Sequence, residues 1–189
     1  NIMRRTNNGI VAYNIFEKNK ITKKNLALNK IKKFKILALE NYSWSRGTDR
    51  LIDVASELRS MGESNYIFII AGNMNLNSNQ SKSLGLTNKQ NSLEDLVKLK
   101  GLQDYFVFLG SVANPETILK SSDILISLTR RVGPWGRSII EAMSAGLPVL
   151  ASGCNSGFIN NASNGIFVKE YDPKKVAEEI LKIHVSKNI

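Results

Sequence analysis

The residues best suited to chemistry lie in one stretch, Val132–Ser152, whose pattern predicts a loop, a helix, a tight turn and a strand. Gly133 and Gly136 loosen the loop, and the helix begins near Arg137. The first N–H groups of a helix lack intrahelical partners, so a glycine-rich loop leading into a helix can bind an anion. Glu141 follows one turn later, where a carboxylate can accept hydrogen bonds from sugar or ribose hydroxyls.

The same spacing also has a purely structural interpretation. Arg137 and Glu141 are four residues apart, so they can form an ion pair on the surface of an ordinary helix. Spacing alone favours neither interpretation, and the choice depends on where the rest of the chain places this helix.

Several other kinds of chemistry are excluded or weakened by the residues present. A single cysteine, Cys154, excludes an internal disulfide and a cysteine-rich metal site. The only histidine, His184, lies far from it near the end of the chain. No G-x-G-x-x-G follows the first predicted strand and no P-loop lysine motif occurs, which weakens standard dinucleotide and P-loop interpretations.

The composition indicates one domain with a sizeable core and a basic surface. The chain has 189 residues, 42% of them hydrophobic, and a net charge of +10. Eight of its lysines precede residue 36, which suits an anionic partner such as nucleic acid, anionic lipid or a nucleotide diphosphate. No nucleic-acid-binding motif is present, so we expect no nucleic-acid partner. No apolar run reaches the roughly 20 residues that span a bilayer; we expect a cytoplasmic location with peripheral contact at the inner membrane.

Apolar runs alternate with helical patterns along the chain. The predicted strands are 35–40, 66–71, 106–109, 124–128, 149–151 and 166–168. The predicted helices are 48–61 with Thr48 as N-cap, 92–100, 115–121, the helix after Gly136, and 173–183. Residues 73–91 are predicted to be a mobile or variable polar loop. A helical turn is predicted near 23–30, in the basic segment before the first strand.

Most predicted strands are continuously apolar, which is typical of a parallel sheet covered on both faces. The fold class is therefore α/β, a Rossmann-like parallel sheet with helices on both faces. Its ligand site is expected in the crevice at the carboxyl ends of the strands. Residues 1–33 are predicted to be a basic lead-in and 34–189 the domain itself.

Segments in the same order resemble a known family over nearly the whole chain. Gly136–Ala151 is similar to F-G-x-x-x-x-E-A-M-A-x-G-x-P-V-V-A, 45–52 to K-G-x-D-x-L-I, and 106–110 to V-x-F-L-G. These are motifs of the C-terminal, donor-binding domain of retaining GT-B glycosyltransferases of the family-four (group 1) type. The resemblance implies one half of a GT-B fold and transfer of a sugar from a nucleotide-sugar with retention of configuration. It implies no cofactor and no bound metal.

The resemblance also implies roles for individual residues. Glu141 matches a family glutamate that binds the ribose hydroxyls of the donor, and the N–H groups near Gly136 and Arg137 match those that meet its diphosphate. Arg46 matches the lysine of a phosphate-binding Arg/Lys pair. A guanidinium can hold a diphosphate through two hydrogen bonds, so Arg is a reasonable substitute. No catalytic base is implied.

Two positions depart from the family pattern. Gly133 stands where the family has a glutamate that contacts the transferred sugar, and Asn41 stands at the arginine of the phosphate pair. Losing one charged hydrogen-bond partner costs about 1.5–3 kcal/mol. That is roughly ten- to a hundredfold in rate or affinity, so these losses need not abolish activity.

Three functional hypotheses follow. The first is the donor-binding domain of a hexosyltransferase-type enzyme, which binds a nucleotide-sugar, transfers little sugar by itself and needs an N-terminal acceptor domain absent from this sequence. The alternative is a degenerate, non-catalytic nucleotide-binding or scaffolding domain of the same fold. The third is a basic domain that docks on an anionic membrane through the lysines before residue 36.

Overall fold

The computed structural model describes residues 25–87, 89–130, 136–154, 159 and 164–187. In this part of the chain, six strands form a single sheet: β1 (Phe34–Leu39), β2 (Tyr66–Ala71), β3 (Phe106–Gly110), β4 (Ile124–Leu128), β5 (Val149–Ser152) and β6 (Gly165–Val168). The helices are α1 (Leu26–Asn29), α2 (Arg50–Ser60), α3 (Ser78–Ser83), α4 (Leu93–Leu99), α5 (Pro115–Leu119), α6 (Arg137–Ser144) and α7 (Pro173–Lys187). Every predicted strand is present.

All strand pairs in the sheet are parallel, in the order β3-β2-β1-β4-β5-β6. Parallel neighbours need crossover connections, and helices lie in the connections between successive strands from β1 to β5. The chain first builds outward from β1 through β2 to β3 and then returns to place β4 on the other side of β1. The predicted Rossmann-like α/β class is confirmed, and the order reverses between β1 and β4, where a crevice is expected.

Two hydrophobic cores cover the two faces of the sheet. Successive side chains of a strand point to opposite faces, so Ile36 packs in the core that contains residues of α2, α4 and α7. Its neighbour Leu37 packs in the core that contains residues of α1, α5 and α6. This two-sided burial explains why the strands are continuously apolar. Over the described residues, no helix is both long and apolar enough to cross a membrane.

The segment 73–91 is more ordered than the sequence prediction, which was a loop throughout. It contains α3, whose first turn is held by a capping box: Asn77 Oδ1 accepts from the Gln80 N–H at 2.9 Å, and Gln80 Oε1 accepts from the Asn77 N–H at 2.8 Å. Leu76 and Leu86 anchor the two ends of this helix in the core shared with α2. A segment rich in Asn and Ser thus forms a capped helix here.

Gly47 is required by the close approach of the loop after β1 to the end of β4. Its φ is +76°, and a Cβ there would overlap the carbonyl oxygen of Leu128. Gly62, at the end of α2, has a nearly identical φ of +78° with nothing within 4 Å of a Cβ. The two glycines therefore share a backbone requirement and differ in the space available.

We predict that Gly47→Ala destabilises the chain much more than Gly62→Ala. Left-handed backbone costs an alanine about 1–2 kcal/mol at either site, and the overlap at Gly47 adds about 1–3 kcal/mol. Urea unfolding of the two variants beside the unmodified chain measures both values. Equal losses would show that β4 does not confine the loop at Gly47.

Candidate functional site

A cleft of about 580 Å³ opens at the carboxyl ends of the strands, where the strand order reverses. It is lined by the residues that follow β1, β2 and β3, by the end of β4, and by the first turns of α6. This is the crevice that a doubly wound sheet offers to a ligand. Its volume falls within the range of small-molecule sites.

The cleft brings together five of the six residues predicted for the site. The loop after β1 contributes Asn41 and Arg46, and the start of α6 contributes Gly136, Arg137 and Glu141. The sixth, Gly133, lies outside the described residues. Two segments distant in the sequence therefore form facing parts of one cavity.

The N-terminus of α6 forms one wall of the cleft. Gly136 is its N-cap residue, with extended backbone (φ −111°, ψ 141°), and it makes no side-chain cap hydrogen bond. Without a side chain at this position, the cap supplies no side-chain acceptor to the first N–H groups of the helix, and its carbonyl oxygen accepts from the third of them, the Ile139 N–H, at 3.1 Å. Those groups and the helix dipole favour an anion at this wall.

Arg137 and Glu141 form the ion pair that the structural interpretation of their spacing predicts, with Nε and Oε1 3.3 Å apart. The Arg137 side chain is 84% exposed, however, while that of Glu141 is 17% exposed. An exposed pair of this kind contributes little stability, so Arg137 can exchange its partner at small cost. The pair and a ligand-binding role are therefore compatible.

Arg46 and Asn41 are held together by the loop after β1. Arg46 Nη1 donates to the Asn41 carbonyl oxygen at 3.2 Å. Asn41 Oδ1 in turn accepts from the Asn73 N–H at 2.8 Å, which ties this loop to the exit of β2. Arg46 is exposed and has several N–H donors, so a bound anion can still be contacted by its guanidinium.

A salt bridge fixes the far end of the same loop to the exit of β4. Arg130 Nη1 and Nη2 donate to Asp49 Oδ1 and Oδ2 at 2.8 and 2.6 Å. Arg130 Nη1 also donates to the Trp44 carbonyl oxygen at 2.7 Å, and the guanidinium lies 4.9 Å from the centre of the Trp44 ring. The hydrogen bond to Asp49 raises the pKa of Arg130, so the guanidinium stays charged at any working pH.

The Asp49 side chain pairs with Arg130 and does not cap a helix. Asp49 is the N-cap residue of α2 by position, but its side chain makes no cap hydrogen bond and is buried against Arg130. Thr48, the predicted N-cap, is also buried and donates instead to Glu40 Oε1 at 2.8 Å. The carboxyl group of Glu40, eight residues earlier at the end of β1, replaces the backbone N–H groups as its partner.

Glu40 lines the cleft and is the residue that sequence reasoning missed. It directly follows β1, and Thr48 holds one oxygen of its carboxyl group. Burial raises the pKa of Glu40 to about 7, against the lowering effects of the Thr48 hydrogen bond and the charge of Arg46. The available signal was an acidic residue at the carboxyl end of a buried strand, beside the predicted crevice.

Solved glycosyltransferase structures share this fold. HepE of Anabaena, in complex with UDP-glucose, matches with a TM-score of 0.69 and 20% identity over 93% of this chain and 48% of HepE. WaaG, a glycosyltransferase involved in lipopolysaccharide biosynthesis, matches with a TM-score of 0.63 and 18% identity over 83% of this chain and 40% of WaaG. The domain is therefore of the Rossmann-like α/β class found in GT-B glycosyltransferases.

The family Glycosyl transferases group 1 matches residues 19–188, and the chain belongs to this family. Mannosylfructose-phosphate synthase of Agrobacterium fabrum is 28% identical over 152 residues, covering 78% of this chain and 32% of that protein. Probable sucrose-phosphate synthase 1 of Oryza sativa subsp. indica is 28% identical over 169 residues, covering 82% of this chain and 15% of that protein. The chain thus spans a third or less of these curated relatives and about half of HepE.

We predict that Asp49→Asn destabilises the chain by about 3 kcal/mol, because it leaves the Arg130 guanidinium largely buried without its counter-charge. Asp104→Asn is the matched control, since Asp104 is exposed, and it should change stability by less than about 0.5 kcal/mol. Urea unfolding at neutral pH compares the two variants. Similar stabilities would mean that the Asp49–Arg130 pair does not hold the loop.

Proposed function

We propose that this chain is the donor-binding half of a glycosyltransferase that moves a hexosyl group from a nucleotide-diphosphate sugar to an acceptor, with retention of configuration. The observation that carries the proposal is the convergence of Arg46, the N-terminus of α6 and Glu141 on one cleft at the reversal of strand order. Two of these suit an anion, and the third suits hydroxyl groups. A nucleotide-sugar presents both, joined at a short distance.

The positions of these groups suggest how the donor lies. Its diphosphate contacts the Arg46 guanidinium and the first N–H groups of α6, and its ribose hydroxyls donate to Glu141. As the bond to the sugar breaks, negative charge accumulates on the leaving diphosphate. Arg46 and the helix N–H groups are already oriented toward that charge, which lowers the barrier without reorganisation. In this proposal these groups, and no metal ion, neutralise the leaving group.

We propose that the binding site for the acceptor is formed by a part of the protein outside this sequence. Because the chain spans about half of HepE, we propose that a further domain closes over the cleft and binds the acceptor. The 189-residue chain alone should then bind a nucleotide or nucleotide-sugar weakly and transfer little or no sugar.

A non-catalytic nucleotide-binding domain is the second candidate, and Asn41 favours it. Its side chain carries no charge and accepts a hydrogen bond from the Asn73 N–H. It therefore attracts a phosphate less strongly than the arginine that the family has at this position. Gly133 removes the family's sugar-contacting glutamate as well. Sugar transfer by the longer protein, measured beside a Gly133→Glu variant, separates the two candidates: transfer supports the enzyme, and binding without transfer supports the second candidate.

We predict that nucleotide binding depends on Arg46 and Glu141 in different ways. Arg46→Met and Glu141→Gln should each weaken UDP-glucose binding, or that of the tightest ligand among UDP-, GDP- and ADP-sugars, by roughly ten- to a hundredfold. Only Glu141→Gln should become insensitive to removal of the ribose hydroxyls, measured with the 2′,3′-dideoxy nucleotide. Calorimetry or ¹⁵N NMR titration gives the dissociation constants.

Glu178→Gln is the control for these variants, because Glu178 is exposed on α7 and does not line the cleft. It should bind as tightly as the unmodified chain. No binding of any of these nucleotides at millimolar concentration would contradict the proposed donor site. Equal sensitivity of Glu141→Gln and the unmodified chain to loss of the ribose hydroxyls would remove Glu141 from the ribose site.

A further inference from the structure

The cleft holds a second acidic side chain besides Glu141, and this one lies among groups that suit an anion. Glu40 lines the same cavity as Arg46 and the N-terminus of α6. An ionised carboxylate there repels a diphosphate, whereas a neutral carboxylic acid can donate a hydrogen bond to a phosphate oxygen. The protonation state of Glu40 therefore decides whether it opposes or supports the binding of an anionic ligand.

The backbone and side chain of Glu40 are both confined. A Cβ at Gly72, at the exit of β2, would overlap the Glu40 carbonyl oxygen, so the two strand ends lie in direct contact. The buried Thr48 hydroxyl donates to Oε1 at 2.8 Å and holds the carboxyl group beside the cleft. Glu40 cannot withdraw far from an anion bound between Arg46 and α6 without losing this hydrogen bond.

The charged groups around Glu40 come from three elements. Arg46, in the loop after β1, favours its ionised form, and Asp49, at the start of α2, disfavours it. Asp49 is itself neutralised by Arg130 from the exit of β4. Arg137 and Glu141 of α6 line the same cleft and pair with each other. The described groups therefore leave Arg46 as the main cation acting on Glu40.

We infer that Glu40 is a further donor-binding residue of this cleft, and that it binds as the neutral acid, donating a hydrogen bond from its carboxyl group to a diphosphate oxygen of the nucleotide-sugar. This inference rests on the proposed donor site. Binding is then coupled to protonation: the ligand takes up one proton at Glu40 whenever the free chain has lost it.

The direction of the pH dependence follows from the state of the free chain. Burial raises the pKa of Glu40 to about 7, and two further negative charges beside the carboxyl group raise it again in the complex. Below pH 6 Glu40 is already protonated in the free chain, so affinity is constant there. As pH rises through 7, each binding event must also protonate Glu40, and affinity falls by up to about tenfold per pH unit.

The experiment measures the dissociation constant of UDP-glucose from pH 6.0 to 8.5 for the unmodified chain, Glu40→Gln and the control Glu178→Gln. Both phosphates of UDP-glucose keep a constant charge over this range, so the ligand contributes no titration of its own there. The amide of Glu40→Gln imitates the neutral acid, since it still donates a hydrogen bond and carries no charge. GDP-mannose and ADP-glucose replace UDP-glucose if either binds more tightly.

We expect the affinity of the unmodified chain and of Glu178→Gln to fall about tenfold or more between pH 6.5 and 8.5. Glu40→Gln should be nearly constant over the same range and should bind more tightly than the unmodified chain at pH 8.5. Calorimetry in buffers of different ionisation enthalpy should show proton uptake at pH 7.5 for the unmodified chain and none for Glu40→Gln.

Thr48→Val gives a second test, in which the pH dependence is shifted and not abolished. It removes the hydrogen bond that favours the ionised form of Glu40, so the pH at which affinity falls should move upward. Parallel pH profiles for the unmodified chain and Glu40→Gln would overturn the role of Glu40 and leave the proposed donor site standing. Absence of binding by every nucleotide-sugar at every pH would overturn both.

Discussion

The loop after β1 is pressed against the end of β4, and the geometry of the whole cleft depends on that contact. Gly47 lies so close to the Leu128 carbonyl that no side chain fits between them. Arg50 Nη1 donates to the Leu128 and Thr129 carbonyl oxygens at 3.2 Å, and Arg130 reaches back to Asp49. These bonds join the two strands between which the order reverses. They hold the loop that carries Arg46 against the end of β4, which lines the same cleft.

Most of the fold could be predicted because burial acts on every residue of a parallel strand. The runs 66–71 and 124–128 are strands with the same bounds in the structure, since helices cover both faces of the sheet and favour apolar side chains there. The prediction was wrong where polar residues form a helix, as at α3. There Asn77 and Gln80 cap one another, so a segment rich in Asn and Ser looks like a loop until its caps and its buried flanking leucines are considered together.

The candidate site was only partly predictable, because some of its properties follow from local sequence and others depend on packing. The anion-binding character of α6 is local, since it follows from a glycine at the N-cap and the helix after it. The position of Arg46 came from the family resemblance. The sequence analysis singled out neither Asp49 nor Glu40, because their partners depend on packing: Asp49 pairs with a residue 81 positions away, and Glu40 is confined between a strand end and a buried hydroxyl. The local signal, an acidic residue at the end of a buried strand, places Glu40 beside the crevice but does not reveal these contacts.

The most direct test of the central claim is a crystal structure of the chain with a bound nucleotide-sugar. The account predicts diphosphate oxygens about 3 Å from the N–H groups of Gly136 or Arg137 and from the Arg46 guanidinium, with a ribose hydroxyl at the same distance from Glu141. The nucleotide would then lie at the carboxyl ends of the strands, where the strand order reverses between β1 and β4. A nucleotide bound at the opposite end of the sheet, or in the cleft with its diphosphate away from α6 and Arg46, would contradict the account.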